Sequence, residues 1–85
     1  MSKQYTYQGE IINANKRVYD AEVYQYEFRN KGEVTVDING IVLEPTDTFK
    51  ETQDSNERSG ATYNIRFNSG AGLKQVLMIT KRLLK

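Results

Sequence analysis

Apolar and polar residues alternate along most of this chain with the two-residue period of β-strands, most clearly between Tyr24 and Leu43. Asn39-Gly40 lies inside this stretch and is the strongest short-range signal for a two-residue hairpin, because a type I′ turn needs positive φ at both central positions. The turn sets two apolar pairs opposite each other on one face of a sheet: Ile38 with Ile41 and Val36 with Leu43.

A second turn is predicted one strand earlier. Asn30-Lys31-Gly32 fits a three-residue hairpin loop with glycine in the left-handed conformation. It adds three pairs to the same face: Phe28 with Val34, Tyr26 with Val36 and Tyr24 with Ile38. Since a one-residue slip in either turn would mix the two faces, the agreement predicts a three-stranded antiparallel sheet. This register makes Tyr24 and Tyr26 core residues, pairs Arg29 with Glu33, and leaves Asp37 in solvent beside Gln25 and Val42.

The remaining strands follow from the same alternation. They are predicted at Gln4–Ile12, Arg17–Arg29 (long enough to need a bulge or bend), Asp47–Thr52, Tyr63–Phe67 and about Lys74–Lys81. The last segment also has helical spacing, but Val76–Thr80 is rich in strand formers and follows a glycine turn at Ser69–Gly72, which favours a strand. The register of that final hairpin is left open, because loops of three and four residues give opposite facings.

About seven short strands separated by turns indicate an all-β protein, either a small antiparallel β-sandwich or a partly open barrel. The 85 residues are enough for one domain, residues 1–85, with one modest core.

Composition narrows the function by exclusion. A net charge of +1 argues against a surface dedicated to nucleic acid or to anionic membranes. The longest apolar run, Val76–Ile79, is far too short to span a membrane. The N-terminus has no apolar signal-peptide core, so we expect a protein of the cytoplasm with no export signal of its own.

Catalytic and metal chemistry are not expected. The chain has no histidine and no cysteine, so a general base would have to be a carboxylate or lysine with a strongly shifted pKa. Asp54–Gly60 contains oxygen side chains at alternating positions, as in a calcium loop, but Arg58 replaces a ligand and no bidentate glutamate follows. Gly70-Ala71-Gly72 lacks the spacing of a phosphate loop. The sequence therefore predicts no enzyme, no metal and no cofactor.

Single-stranded nucleic acid is the alternative partner. Small barrels stack bases on exposed aromatic residues, for which Tyr5 and Tyr7 qualify better than Tyr24 and Tyr26. Four cations are available for phosphate contacts: Arg17, Arg29, Arg66 and Lys74. A third hypothesis is an adaptor or inhibitor that docks by adding a strand to a sheet edge.

Surplus apolar surface gives the main functional hypothesis. Val76–Ile79 is apolar on both faces, Val42 points away from the predicted core, and two leucines follow the last strand. Leaving each such side chain in water forfeits roughly 1.5–3 kcal/mol. A loop of the same domain or a permanent protein partner would cover them, and we expect partner contacts at Val42, Val76, Met78, Leu83 and Leu84, with residues 82–85 as a contact tail.

One segment resembles a known group of proteins. Phe28–Pro45, with its N-x-G turn, valine-rich strand, I-N-G turn and leucine-proline turn, continues to Phe49 and is similar to small β-sandwich modules in virion and accessory proteins of tailed phages that infect Bacteroidota, including crAss-like phages. Tyr63–Phe67 and Val76–Lys81 resemble their following strands. The chain departs from the pattern at Thr46, where glycine usually follows the proline.

The resemblance implies a structural role and brings no catalytic or binding residues with it. The expected function is a non-enzymatic assembly protein, a virion subunit or decoration assembled in the host cytoplasm. It would act through self-association as a homo-oligomer or by docking on a larger virion protein.

Overall fold

The computed structural model describes residues 4–52 and 57–84, which form eight β-strands and no helix. The strands are β1 (Tyr5–Ile12), β2 (Lys16–Val18), β3 (Val23–Asn30), β4 (Val36–Ile38), β5 (Ile41–Leu43), β6 (Thr48–Lys50), β7 (Tyr63–Phe67) and β8 (Val76–Leu83). The all-β prediction is confirmed, with one strand more than expected. The C-terminal segment is a strand, and the helical alternative does not form.

The strands build two antiparallel four-stranded sheets that do not close into a barrel. The first sheet has the order β1-β8-β3-β6 and the second has the order β2-β7-β4-β5. Only β4 and β5 are consecutive neighbours, and every other connection crosses between the sheets. This order is that of a jelly roll, the eight-stranded double Greek key.

The β4–β5 hairpin is confirmed in its register. Ile38 lies opposite Ile41, and Val36 lies opposite Leu43. Asn39 and Gly40 have φ values of 54° and 87°, as a type I′ turn requires. Ile41 does not join the core, because β5 is an edge strand and leaves this side chain 40% exposed.

The predicted hairpin at Asn30-Lys31-Gly32 is wrong. β3 pairs with β6 and β8, whereas β4 pairs with β5 and β7, so the two strands lie in different sheets. The Arg29–Glu33 ion pair does not form either. The Arg29 guanidinium binds the Glu27 carboxylate, and Glu33 accepts a hydrogen bond of 2.8 Å from the backbone of Leu73. Asp37 does lie opposite Val42, but Gln25 is in the other sheet.

The face predicted from those turns is nevertheless buried. Its eight residues include only one that is exposed, and the buried ones are Tyr24, Tyr26, Phe28, Val34, Val36, Ile38 and Leu43. Tyr26 and Phe28 meet Val36 and Ile38 in one core cluster because their strands belong to facing sheets. Tyr24 is the exception to this shared core, because it lies at the register shift of β3 and packs edge-on against Tyr5 with the ring centroids 5.2 Å apart. Alternation therefore identified the buried residues correctly, while the pairing of the strands was misread.

Two further connections differ from the prediction. The strand expected over Arg17–Arg29 is interrupted by a turn in which the Asp20 carboxylate accepts a 2.9 Å hydrogen bond from the backbone of Glu22. The segments on either side of this turn, β2 and β3, belong to different sheets. Likewise, β7 and β8 are not a hairpin, because the turn at 69–72 lies on a crossover between sheets.

The chain changes sheets at Asn30, and every polar atom of this buried residue has a partner. Its side-chain amide donates to the carbonyls of Val34 (2.9 Å) and Leu43 (3.0 Å), and its side-chain oxygen accepts from the backbone of Gly32 (3.0 Å). Its backbone bonds Asp47 and Thr46. Asn30 thus joins the crossover after β3 to the end of β5 and to the turn before β6.

Gly32 is required for a reason other than the predicted one. Positive φ occurs at Gly40, Gly60 and Gly72 among the described glycines, and not at Gly32. A Cβ atom at Gly32 would lie 2.4 Å from the carbonyl oxygen of Leu73 and 2.8 Å from the nitrogen of Gln75. Only glycine allows the two backbone segments to approach this closely.

Thr46 has a φ of 77°, a region that a β-branched residue rarely adopts. The Asp47 nitrogen donates to the Glu44 oxygen (2.9 Å), which closes a type II turn with Pro45 at its second position. The position at which the chain departs from the phage modules is therefore one where glycine would be unstrained.

An aromatic cluster joins the sheets at the centre of the core. The Tyr63 ring of the second sheet meets the rings of Tyr26, Phe28 and Phe49 edge-on, with centroid distances of 5.2, 4.9 and 6.1 Å. Such edge-to-face contacts add to the burial of apolar area.

We predict that Asn30→Asp destabilises the fold by about 2–4 kcal/mol, because the carbonyls of Val34 and Leu43 would then face an acceptor instead of a donor. Urea denaturation of this variant and of Asn13→Asp, an exposed loop substitution with the same change in charge, measures the effect. Equal stability of the two variants would contradict the role given to Asn30.

We predict that Gly32→Ala lowers the free energy of unfolding by about 1–3 kcal/mol, since the new methyl group must displace backbone. The matched control is Gly70→Ala, where the nearest atom would be an ordinary 3.7 Å away. Thermal unfolding should separate the two variants, and a neutral Gly32→Ala would show that the crossover can move aside.

Candidate interaction surface and cleft

β8 is a central strand of the first sheet, and its two faces have different surroundings. Val76, Met78 and Thr80 point towards the second sheet and are buried, with exposures of 0%, 7% and 3%. The prediction that Val76 and Met78 contact a partner is therefore corrected, because both residues belong to the core cluster. β8 does have surplus apolar side chains, but they lie on its other face. The sequence left the register of the last hairpin open, so it could not predict which face this would be.

The other face of β8 contributes to an apolar surface shared with β1. Ile11 pairs with Leu77, Gly9 with Ile79, and Tyr5 with Leu83. We call this surface the outer patch, and its apolar members are Tyr5, Tyr7, Ile11, Leu77, Ile79 and Leu83. Lys81 lies among them opposite Tyr7, with its ammonium nitrogen 4.2 Å from the centroid of the Tyr5 ring. Tyr7 and Ile11 are 62% and 50% exposed, and the other four apolar members are half-buried.

β1 reverses the usual arrangement of a sandwich strand. Thr6, Gln8 and Glu10 alternate with the patch residues and lie on the side of the second sheet, yet they are polar. At the end of the strand Ile12 does join the core, but the other apolar side chains of β1, Tyr5, Tyr7 and Ile11, point away from the second sheet. A strand whose apolar face is turned outward forfeits the burial that would stabilise it, unless another surface covers that face.

The edge of β1 adds a second recognition element. In the part of the chain that the structure describes, β1 pairs with β8 alone, so one side of this eight-residue strand has no strand neighbour. The other edge strands, β2, β5 and β6, have three residues each. β1 contains no proline, and its one charged residue, Glu10, is held by Lys16 at 2.7 Å. It therefore has few of the features that prevent strand addition.

Three of the predicted contact residues lie at the surface. Leu83 is half-buried opposite Tyr5, Leu84 is 52% exposed, and Val42 is 57% exposed on the outer face of the second sheet. Val42 is thus separate from the outer patch. Of the contact tail 82–85, residues 82 and 83 are part of β8, and residue 85 lies outside the described residues. A contact role for these three residues stays a prediction.

The aromatic and basic residues considered for nucleic acid are divided between the sheets. Tyr24 and Tyr26 are buried, as predicted, and Tyr7 faces outward on the first sheet. Arg17 and Arg66 are exposed on the outer face of the second sheet, opposite Asn64 and Asp37 respectively. Arg29 lies on the outer face of the first sheet opposite Leu77, and Lys74 is half-buried in the segment before β8. Of the four predicted cations, only Arg29 thus shares a sheet face with Tyr7.

A cleft of about 210 Å³ opens between the sheets beside β1 and β2. The Asp20 carboxylate contacts the Arg82 guanidinium at 2.8 Å, and the backbone of Asp20 donates to the Tyr26 hydroxyl at 3.1 Å. The hydrogen bond from the backbone of Glu22, together with Arg82, lowers the pKa of Asp20. Burial raises the pKa of Tyr26. The cleft thus holds a charged pair beside a neutral phenol, and no local pattern in the sequence predicts this arrangement.

Glu51 is a buried carboxylate that sequence reasoning missed. Its oxygens accept hydrogen bonds from the backbone of Tyr26 (2.8 Å), the hydroxyl of Ser59 (2.8 Å) and the hydroxyl of Tyr63. Burial, with this hydrogen bond, raises the pKa of Tyr63. All three donors are neutral groups of the fold itself. The hydrogen bonds of Glu51 therefore hold the segment before β7 against β3.

Residues 4–52 and 57–84 contain no group of three acidic side chains that could hold a metal ion. The calcium-like loop falls partly outside those ranges, at residues 54–56. No helix in the described ranges has the length and hydrophobicity needed to cross a membrane.

Comparison with protein-family models, curated proteins and solved structures finds no match. Strand order and surface therefore define the protein as an all-β sandwich of jelly-roll topology with an apolar outer patch.

We predict that Asp20 stabilises the fold at neutral pH and loses this effect in acid. Its pKa is lowered from 3.8 on folding, so its contribution is complete above that value and disappears as the pH falls towards the folded-state pKa. Urea denaturation over a pH series should show Asp20→Asn less stable than wild type at pH 7, with the difference shrinking below about pH 4. A difference that is independent of pH would contradict this assignment.

Proposed function

We propose that this protein is a non-enzymatic structural or assembly protein that acts through the outer patch and the free edge of β1. The proposal rests on the inverted polarity of β1, which places Tyr7 and Ile11 in solvent next to the half-buried Leu77 and Ile79. Exposed apolar surface of this kind is typical of protein–protein contact. Leu83 belongs to this patch, and a contact from the exposed Leu84, which directly follows β8, would extend it.

Self-association is the mode that β1 favours. If two copies pair their β1 strands antiparallel with the two Gly9 residues opposed, Tyr7 of each copy lies opposite Ile11 of the other, and Glu10 lies opposite Gln8. The apolar side chains then meet on one face, and the two glutamates do not face each other. The two first sheets would become one eight-stranded sheet with a continuous outer patch.

A role in a phage virion is the more specific part of the proposal. Its support is the resemblance of Phe28–Phe49 to virion and accessory modules, together with a jelly-roll topology that is also found in viral capsid proteins. The second argument is an analogy between folds, which host many functions. In this role the chain would be a subunit or decoration that is assembled in the host cytoplasm, packed on itself or on a larger virion protein.

The absence of catalysis is proposed from the chemistry of the chain. It has no histidine or cysteine, and its most buried carboxylate, Glu51, uses both oxygens to hold structural donors. A general base needs an oxygen or nitrogen that can reach a substrate proton.

We predict that replacing Tyr7 and Ile11 together by serine weakens self-association at least about tenfold in the dissociation constant, equivalent to about 1.4 kcal/mol. Because both side chains are exposed in the single chain, thermal unfolding of dilute protein should change little. Sedimentation equilibrium across a concentration series measures the association.

The matched control is Tyr19→Ser, which removes a tyrosine of similar exposure, 58%, away from the outer patch. This variant should associate like the wild type. A wild-type protein that stays monomeric at millimolar concentration would contradict self-association, and equal losses in both variants would show that the outer patch is not the contact.

A further inference from the structure

The two sheets differ in strand length, and this leaves part of the inner face of the first sheet uncovered. β1 and β8 have eight residues each, whereas β2, the edge strand beside the cleft, has three. The uncovered part includes the polar side chains of Glu10 and Arg82, and the buried Thr80 is also among the residues that line the cleft there. We propose that the cleft there, closed on one side by Tyr19 and Asp20, is a binding site for a neutral saccharide.

The charges of the cleft favour a neutral ligand. Asp20 and Arg82 form one ion pair at 2.8 Å, and Glu10 and Lys16 form another at 2.7 Å. Among the side chains that face the cleft, two acids balance two bases, so the site offers no excess charge to a phosphate or a carboxylate. Arg17, a third basic residue along the lining, lies on the outer face of the second sheet opposite Asn64. The inward-facing groups are paired within the chain, which fixes their positions before a ligand arrives.

The hydrogen-bonding groups suit hydroxyls. The Arg82 guanidinium donates to the Thr80 hydroxyl at 3.3 Å and still has N–H groups, while carboxylate oxygens can accept more than one hydrogen bond. Donors and acceptors therefore lie side by side at fixed places. A sugar hydroxyl both donates and accepts, so neighbouring hydroxyls of a ring match such an array.

The apolar part of the cleft suits the C–H face of a sugar ring. Tyr19 is 58% exposed at the rim and presents an aromatic ring to solvent, and Val18, Val23 and Met78 line the wall behind it. A half-exposed tyrosine combines a flat apolar surface with a polar tip, as a ligand with one apolar and one polar side requires. The volume of about 210 Å³ equals roughly seven waters of the liquid, enough for one pyranose ring.

This site is independent of the proposed assembly surface. The cleft opens on the inner side of β1 and β8, and the outer patch lies on the opposite side of the same strands. Occupation of one surface leaves the other accessible. Failure of the association experiment would therefore not decide the saccharide proposal, and the reverse also holds.

The test is an NMR titration of the ¹⁵N-labelled full chain with glucose, galactose, mannose and N-acetylglucosamine, each used separately. We expect at least one sugar to shift the amides of Tyr19, Asp20 and Thr80 in a saturable manner, with a dissociation constant of about 1–10 mM, in the range of a weak single-ring ligand. Glucuronate, which adds a negative charge to the glucose ring, should bind no more tightly than glucose.

Tyr19→Ala should weaken binding roughly five- to tenfold by removing the stacking surface. Tyr7→Ala is the matched control, because it removes an exposed tyrosine from the opposite side of the sheet, and it should leave the affinity unchanged. A dispersed spectrum of each variant shows that it is folded. The proposal is overturned if none of the four sugars shifts the cleft amides, or if the Tyr7 and Tyr19 variants bind equally.

Discussion

The fold depends on the corner at Asn30, where the chain leaves one sheet for the other. This buried side chain bonds the carbonyls of Val34 and Leu43 and the backbone of Gly32. It thereby satisfies backbone groups that water cannot reach. Six of the seven connections in this topology cross between the sheets, and each crossing takes backbone out of a ladder. At Asn30 a single amide replaces the missing ladder bonds, and the close approach at Gly32 completes the corner.

Unequal strand lengths then create both candidate surfaces. β1 and β8 extend beyond the short strands of the second sheet, so their inner faces can be polar at one end and form a cleft. Along the same part of β1 the apolar residues Tyr7 and Ile11 face outward instead, and only Ile12 at the end of the strand joins the core. The same mismatch therefore explains why a small sandwich has a polar cleft on the inside and an apolar patch on the outside.

Sequence reasoning succeeded where the signal is local. The turn at Asn39-Gly40 needs positive φ at two adjacent residues and fixed the register of β4 and β5. It failed at Asn30-Lys31-Gly32, because a crossover with a close backbone contact uses the same residue types as a tight hairpin. On β8, Val76 and Met78 were predicted as surface contacts but are buried, and Leu77 and Ile79 lie on the outer face instead. A strand that is apolar on both faces does not indicate which face is buried.

The sequence alone determined the all-β class, the positions of most strands, the buried face from Tyr24 to Leu43 and the exclusion of histidine and cysteine chemistry. Only the tertiary structure decided which strands pair, that Glu51 and Asn30 are buried polar anchors, and which face of β8 meets solvent. The physical reason is that alternation and turn propensity act between residues close in sequence. Sheet membership depends on contacts between distant segments, and a buried strand satisfies the same apolar pattern whether its neighbour lies beside it or across the core.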